Sequence, residues 1–202
     1  SKDDKTVTYK DLGMVSSVLS RYLQMDRRTN AGIGHVRYST RGGNRLENAQ
    51  PISITCNKGD ISLAHNGNIS NAAELHDKLT MAGSIFQTTS DTELMLHMIA
   101  LSRKGTFFEA LFETLESLKG AFSMVMIHND SMIAVRDSMG FRPLYIGRKN
   151  GLTAVASETC ALETLNITDY RQVEPGEVIT VNQNSVKSSF LKPSNRISQC
   201  VF

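Results

Sequence analysis

A handful of residues in this chain of 202 have the types and surroundings to hold and cleave a small polar molecule: Arg37 with Thr40, the pair Asn66-Gly67, and Asp91. Arg37 closes the apolar alternation Ile33 to Tyr38 and leads through Ser39 and Thr40 into the Gly42-Gly43 loop. A guanidinium at a strand end can grip a carboxylate through two parallel N–H bonds, with the Thr40 hydroxyl as a third donor. Each charge-assisted bond of that kind is worth roughly 1.5–3 kcal/mol. In His65-Asn66-Gly67-Asn68 the Asn-Gly pair follows the strand-like Ile61 to Ala64 and precedes a helical pattern near Asn71, so it reads as a turn from strand to helix. Such a turn offers the Gly67 N–H and the Asn66 side-chain amide as two convergent donors, the outline of an oxyanion hole. Asp91, in the first turn of a helix, offers a counter-charge for an ammonium. Each group also has a plainer reading: a turn that only turns, an arginine in a surface or structural ion pair, a carboxylate complementing a helix dipole. Taken together they describe a site for a free α-amino acid whose side-chain carbonyl is attacked, which points to an amide such as glutamine.

The elements that must hold these groups are helices in the middle of the chain and strands on either side. One helix is expected from Asn71 toward Gly83, with Glu74 answering an Asn71 N-cap; a second follows Ser90, with Glu93 three residues on; a third follows Thr106, with Glu109 three residues on. Near the N-terminus, Val15, Val18, Leu19, Tyr22 and Leu23 share one helical face. Strands are expected at Ile33 to Tyr38, Ile52 to Cys56, Ile61 to Ala64, Phe122 to Ile127, Met132 to Val135, Leu144 to Ile146, Leu152 to Ala156 and Val178 to Val181. Hairpin signals at Lys58-Gly59, Asn129-Asp130 and Asn150-Gly151 make most pairing antiparallel. Helical layers on antiparallel sheets, an α+β class, fit this order better than repeated βαβ units.

Composition narrows the partners. Lys and Arg total 22 against 20 Asp and Glu, with no long basic run, which argues against nucleic acid. No apolar stretch is long enough for a bilayer span, so the expected setting is soluble, reducing and cytoplasmic. Cys56, Cys160 and Cys200 are widely spaced, and His35, His65, His76, His97 and His128 form no H-x-x-x-H pair, so no metal is assigned. His35 and His65 could help shape the site.

Gly34-His35-Val36-Arg37-Tyr38-Ser39-Thr40, Glu47-Asn48-Ala49-Gln50-Pro51, Ala64-His65-Asn66-Gly67-Asn68, Gly83 to Glu93 and Val135 to Leu144 together resemble the class II glutamine amidotransferase family. Ala156 to Leu162 and Val173 to Glu177 extend the likeness, and Gly140-Phe141-Arg142-Pro143-Leu144 with Ser157-Glu158-Thr159-Cys160 favour those members that pass ammonia to phosphoribosyl pyrophosphate in purine synthesis. The resemblance implies an N-terminal nucleophile hydrolase-like αββα sandwich, two antiparallel sheets between helical layers. It assigns Arg37 and Thr40 to the glutamine α-carboxylate, Asp91 to the α-ammonium, and Asn66 with Gly67 to the oxyanion. It also requires an N-terminal cysteine as nucleophile. Ser1 is followed by Lys2-Asp3-Asp4-Lys5, a solvated run, so it is not expected to take that part. Residues 1–190 are therefore expected to be a partial glutaminase domain, inactive alone, and 191–202 the start of a link to an absent phosphoribosyltransferase domain. Magnesium with phosphoribosyl pyrophosphate, an iron–sulfur cluster to which Cys200 could contribute, and a homotetramer would belong to the whole protein. The alternatives are a glutamine-sensing or interaction module without catalysis, or a class II amidotransferase with another acceptor.

Overall fold

A computed structural model describes residues 6–23, 29–37, 45–183 and 185–192. In chain order the elements are helix α1 (Val15–Leu23), a 3-10 turn (Leu46–Asn48), strands β1 (Ile52–Cys56) and β2 (Gly59–Ile69), and helices α2 (Ala72–Met81), α3 (Asp91–Leu101) and α4 (Phe107–Ser117). Then follow β3 (Gly120–His128), β4 (Ser131–Arg136), β5 (Tyr145–Lys149), β6 (Leu152–Ala156), α5 (Thr159–Thr164), β7 (Tyr170–Gln172), β8 (Glu177–Val181) and β9 (Val186–Phe190). Two antiparallel sheets result, one ordered β1-β2-β3-β4-β8-β9 and one β6-β5-β7.

The period of two along each strand decides what packs where. In β4, Ile133 and Val135 face the core formed with α3 and α4, while Ala134 between them faces the second sheet. β8 repeats the division, with Val178 on the helical side and Ile179 on the other. Met95, Leu96, Ile99 and Leu111 of the helices meet Ile61, Leu63 and Met126 of the large sheet, each 1% exposed or less. Burying each such side chain is worth about 1.5–3 kcal/mol. On the opposite face Ala134 and Ile179 meet Leu144, Ile146 and Val173, and α5 lies against β6. Helices, sheet, sheet and helix form the expected αββα sandwich.

Local signals fix several boundaries. At α4, Thr106 Oγ1 accepts the Glu109 N–H and Glu109 Oε2 accepts the Thr106 N–H, a complete capping box. Asn129 and Asn150 take positive φ, 51° and 49°, in the β3–β4 and β5–β6 hairpins. Elsewhere tertiary contacts override the local signal. Asn71 sits at the N-cap of α2 without capping it, because its amide instead donates to Ser117 O and accepts from Lys119 N. Glu74, expected to answer that cap, pairs with Lys78. Residues 33–37, expected to begin a strand, join no sheet over their described part, and α5, β7 and β9 carried no clear signal. No helix among the described residues is long and apolar enough to cross a membrane.

Beyond the sheet ends, buried charges tie loops down. Arg136 donates to the carbonyls of Arg142, Val173 and Gly140, and Asp137 accepts the N–H groups of Phe122, Met139, Phe141 and Arg142. Glu177, 1% exposed, takes both Arg171 Nη atoms at 2.7–2.8 Å together with the Glu174 N–H and the Ser188 hydroxyl. Burial pushes its carboxyl up, but those bonds outweigh burial and hold it below the usual carboxylate range. A carboxyl whose folded value lies below its unfolded one adds stability above the unfolded pKa, about 4.3, and loses it as pH falls through the folded value. Glu177→Gln should therefore cost about 1–3 kcal/mol near neutrality and reduce the fall in melting temperature between about pH 6 and pH 3. An acid profile unchanged by the substitution would remove Glu177 from the acid response.

Candidate active site

The site grows from a mismatch of strand lengths. β1 stops pairing at Ile52, opposite Leu63, whereas β2 continues to Ile69 with β3 still beside it. Among the described residues, 64–69 of β2 thus pair with a strand on one edge and leave the other edge open. Asn66-Gly67 therefore lies inside a strand, correcting the expectation of a strand-to-helix turn. An unbroken register with β3, from Ile61↔His128 to Ile69↔Gly120, overrides the turn propensity of the pair. What the glycine supplies is close approach. At Gly67, φ is 151°, and an added Cβ would stand 2.1 Å from Ala121 O and 2.7 Å from Phe122 Cα.

Along that open edge successive N–H groups alternate in direction, so those of His65, Gly67 and Ile69 point away from β3. The His65 N–H is taken by Gln50 Oε1 at 2.6 Å, and the Ile69 N–H by Asp91 Oδ2 at 3.3 Å. Between these two occupied donors the Gly67 N–H is aimed out of the edge, with the exposed Asn66 side chain beside it in sequence. The strand delivers the donor that the turn was expected to deliver.

Asp91 is the first residue of α3 and reaches the same edge. Its Oδ1 lies 3.3 Å from Nδ1 of His65, whose side chain is 2% exposed. Burial raises the Asp91 carboxyl, but the His65 hydrogen bond and charge and the Ile69 N–H outweigh burial and keep it below its ordinary range. It is a carboxylate at neutral pH. Ser90 caps α3 by accepting the Thr92 N–H at 3.3 Å, as expected. Glu93 does not complete a capping box there. It turns back to the N–H groups of Gln87 at 2.9 Å and Thr88 at 2.7 Å, with His97 Nε2 at 3.6 Å, and so pins the segment that delivers Asp91.

Arg37 reaches the carbonyl of Asn48 through Nη1 at 3.5 Å, and Asn48 in turn bonds Thr89, two residues before Asp91. Thr40 lies outside the described residues, as does Cys200. His35 packs beside His65; burial first, then the charges of His65 and Arg37, depress its pKa against the opposing bond that its ring donates to the His65 backbone. His35 Nδ1 and His65 Nε2 are buried without a partner among the described residues. Cys56 pairs with Gly59 at the far end of the β1–β2 hairpin, and Cys160 is exposed on α5, so neither joins this group. Sequence reading gave Asn48, Gln50 and Glu93 no part in the site, although the first two stand in the quoted Glu47-Asn48-Ala49-Gln50-Pro51 motif.

Two antiparallel sheets between helices, with polar groups gathered at one strand edge, place the molecule among the N-terminal nucleophile hydrolase-like amidotransferases. The chain belongs to the glutamine amidotransferase domain family, whose model matches residues 35–164. It is 44% identical to amidophosphoribosyltransferase 2, chloroplastic, of Arabidopsis thaliana, over all of this chain and 36% of that protein. It is 40% identical to the amidophosphoribosyltransferase of Bacillus subtilis, over 92% of this chain and 39% of that one. A solved structure, glutamine phosphoribosylpyrophosphate (PRPP) amidotransferase from B. subtilis complexed with ADP and GMP, superposes with a TM-score of 0.76 at 41% identity, covering 82% of this chain and 36% of its own. The chain thus spans a little over a third of the length of the relatives it matches.

If close approach to β3 is why residue 67 is glycine, Gly67→Ala should cost about 2–4 kcal/mol, because the obstacle is backbone and cannot rotate away. Gly83→Ala is the control, also at positive φ (92°) but with nothing within 4 Å of the added Cβ, and should cost about 1 kcal/mol. Equal losses of melting temperature in the two variants would refute the close-approach explanation.

Proposed function

We propose that this chain is the glutamine-cleaving part of an amidophosphoribosyltransferase, releasing ammonia for transfer to phosphoribosyl pyrophosphate to give phosphoribosylamine. The observation that carries the reading is the open edge of β2, where the outward Gly67 N–H stands beside a carboxylate fixed by His65 and Ile69. The family match and the names of the relatives support it.

In this reading Asp91 takes the α-ammonium of glutamine, and Arg37 with Thr40 takes the α-carboxylate. A thiolate attacks the side-chain carbonyl carbon, and the carbonyl electron pair moves to oxygen, where the Gly67 N–H and the Asn66 amide stabilise it. Collapse breaks the C–N bond as the nitrogen takes the proton the thiol gave up, and it leaves as ammonia; water then cleaves the thioester to glutamate and restores the thiol. In this reading the thiolate is the N-terminal cysteine that the family resemblance implies for the parent protein; among the described residues Cys56 and Cys160 lie away from the edge. The acceptor, with its magnesium, belongs to a phosphoribosyltransferase part, in a homotetramer of the cytoplasm. The coding sequence upstream of Ser1 separates this reading from a glutamine sensor without catalysis: an in-frame cysteine opening supports the enzyme, and a start codon adjoining Ser1 supports the sensor.

In the full-length protein Asn66→Ala should lower kcat by about 10²- to 10³-fold with glutamine binding less affected, the usual cost of one oxyanion donor. Loss of affinity with kcat intact would defeat the oxyanion role. Asp91→Asn and Arg37→Lys should act chiefly on the glutamine KM, and an unchanged KM in either would withdraw that residue from substrate binding.

A further inference from the structure

Asn48 is 1% exposed, and its carboxamide meets Thr89 at two points: Nδ2 donates to Thr89 Oγ1 at 3.0 Å, and Oδ1 accepts the Thr89 N–H at 3.0 Å. Its main-chain carbonyl accepts from Arg37 Nη1. Two residues on, Gln50 Oε1 holds the His65 N–H. A stretch of three residues leaving the 3-10 turn is thereby attached to each part of the site: to Arg37, to the turn that delivers Asp91, and to the open edge of β2.

An α-amino acid presents its ammonium and carboxylate on one carbon, so two protein groups that grip them must keep a fixed separation. We propose that Asn48 is a positioning residue that sets this separation, holding Arg37 through its carbonyl and the approach to Asp91 through Thr89. Asn48 touches neither end of the substrate and acts through the residues that do. Its side chain suits the task because a carboxamide presents a donor and an acceptor side by side, matching the hydroxyl and N–H of Thr89. The inference rests on the glutamine-cleaving function proposed above.

The test is glutaminase kinetics of the full-length protein carrying Asn48→Ala, Asn48→Asp, Thr89→Val and the Asn48→Ala/Thr89→Val pair. Asn48→Ala should raise the glutamine KM about ten-fold or more while kcat stays within about three-fold, the pattern of lost binding geometry. Asn48→Asp keeps an acceptor for the Thr89 N–H and should recover part of the loss. The pair should be no worse than Asn48→Ala alone, because both changes break one contact. Thr106→Ala, which opens the exposed capping box of α4, should lower the melting temperature without moving KM. An unchanged KM in Asn48→Ala, a strictly additive pair, or an equal KM rise in Thr106→Ala overturns the proposal. Should Asn48→Ala fail to fold, Asn48→Asp and Thr89→Val decide, and a KM unmoved in both overturns it. Asp91→Asn separates the two levels: if it too leaves KM unchanged the glutamine site itself is wrong, whereas a raised KM there with none at Asn48 sinks only the positioning role.

Discussion

Strand β2 outruns β1, and the rest of the site follows from that difference in length. In a sheet, backbone donors are spent on the neighbouring strand; where the neighbour stops, every second N–H becomes available in the plane of the sheet. Here three such groups emerge between His65 and Ile69, and side chains from two distant parts of the chain occupy the outer two. The middle one is held at a defined position by rigid backbone on both sides, which is the preorganisation that stabilising a developing negative charge demands. A flexible turn, the alternative that the Asn-Gly pair suggested, would offer the same atoms with less certainty of place.

Charge is handled in a consistent way. Each deeply buried ionic group is surrounded by several complementary partners: Glu177 by Arg171, Ser188 and a main-chain N–H, Asp137 by four main-chain N–H groups, Arg136 by three carbonyls. Asp91 differs, since it is about a quarter exposed and its partners among the described residues are one histidine nitrogen, the Ile69 N–H and its own N–H. A carboxylate has about four acceptor positions, so capacity remains for an incoming cation. Capacity of this kind distinguishes a carboxylate that can bind from one that only braces a loop.

How much of this was legible in the sequence depended on how local the cause was. The α4 capping box and the Asn129 and Asn150 hairpins are decided within a few residues, and they appear where the pattern placed them. Arg37, Asn66, Gly67 and Asp91 were identified as candidates from type and spacing, and among them the structure brings Asp91 to the strand that carries Asn66 and Gly67. The misread features answer to partners outside the local motif, most of them distant in the chain and, for Glu93, the segment just before its helix. Asn71 forgoes its helix to bind Ser117 and Lys119, Glu93 turns to Gln87 and Thr88, and the Asn66-Gly67 turn is straightened by nine residues of pairing with β3. Strands β7 and β9 went unseen because they are short and mostly exposed, leaving little apolar alternation to read.

The open edge of β2 bears on solubility as well as on chemistry. A bare strand edge is a template on which other chains can add, and proteins commonly guard such edges with charge, proline or bulges. On this edge the guards are Gln50 and Asp91, which consume two of its three outward N–H groups from the side. A foreign strand arriving there would find one donor where it needs a row. The contacts of Gln50 and Asp91 with β2 therefore also shield the edge from aggregation, and substitutions that loosen them endanger the protein's dispersal.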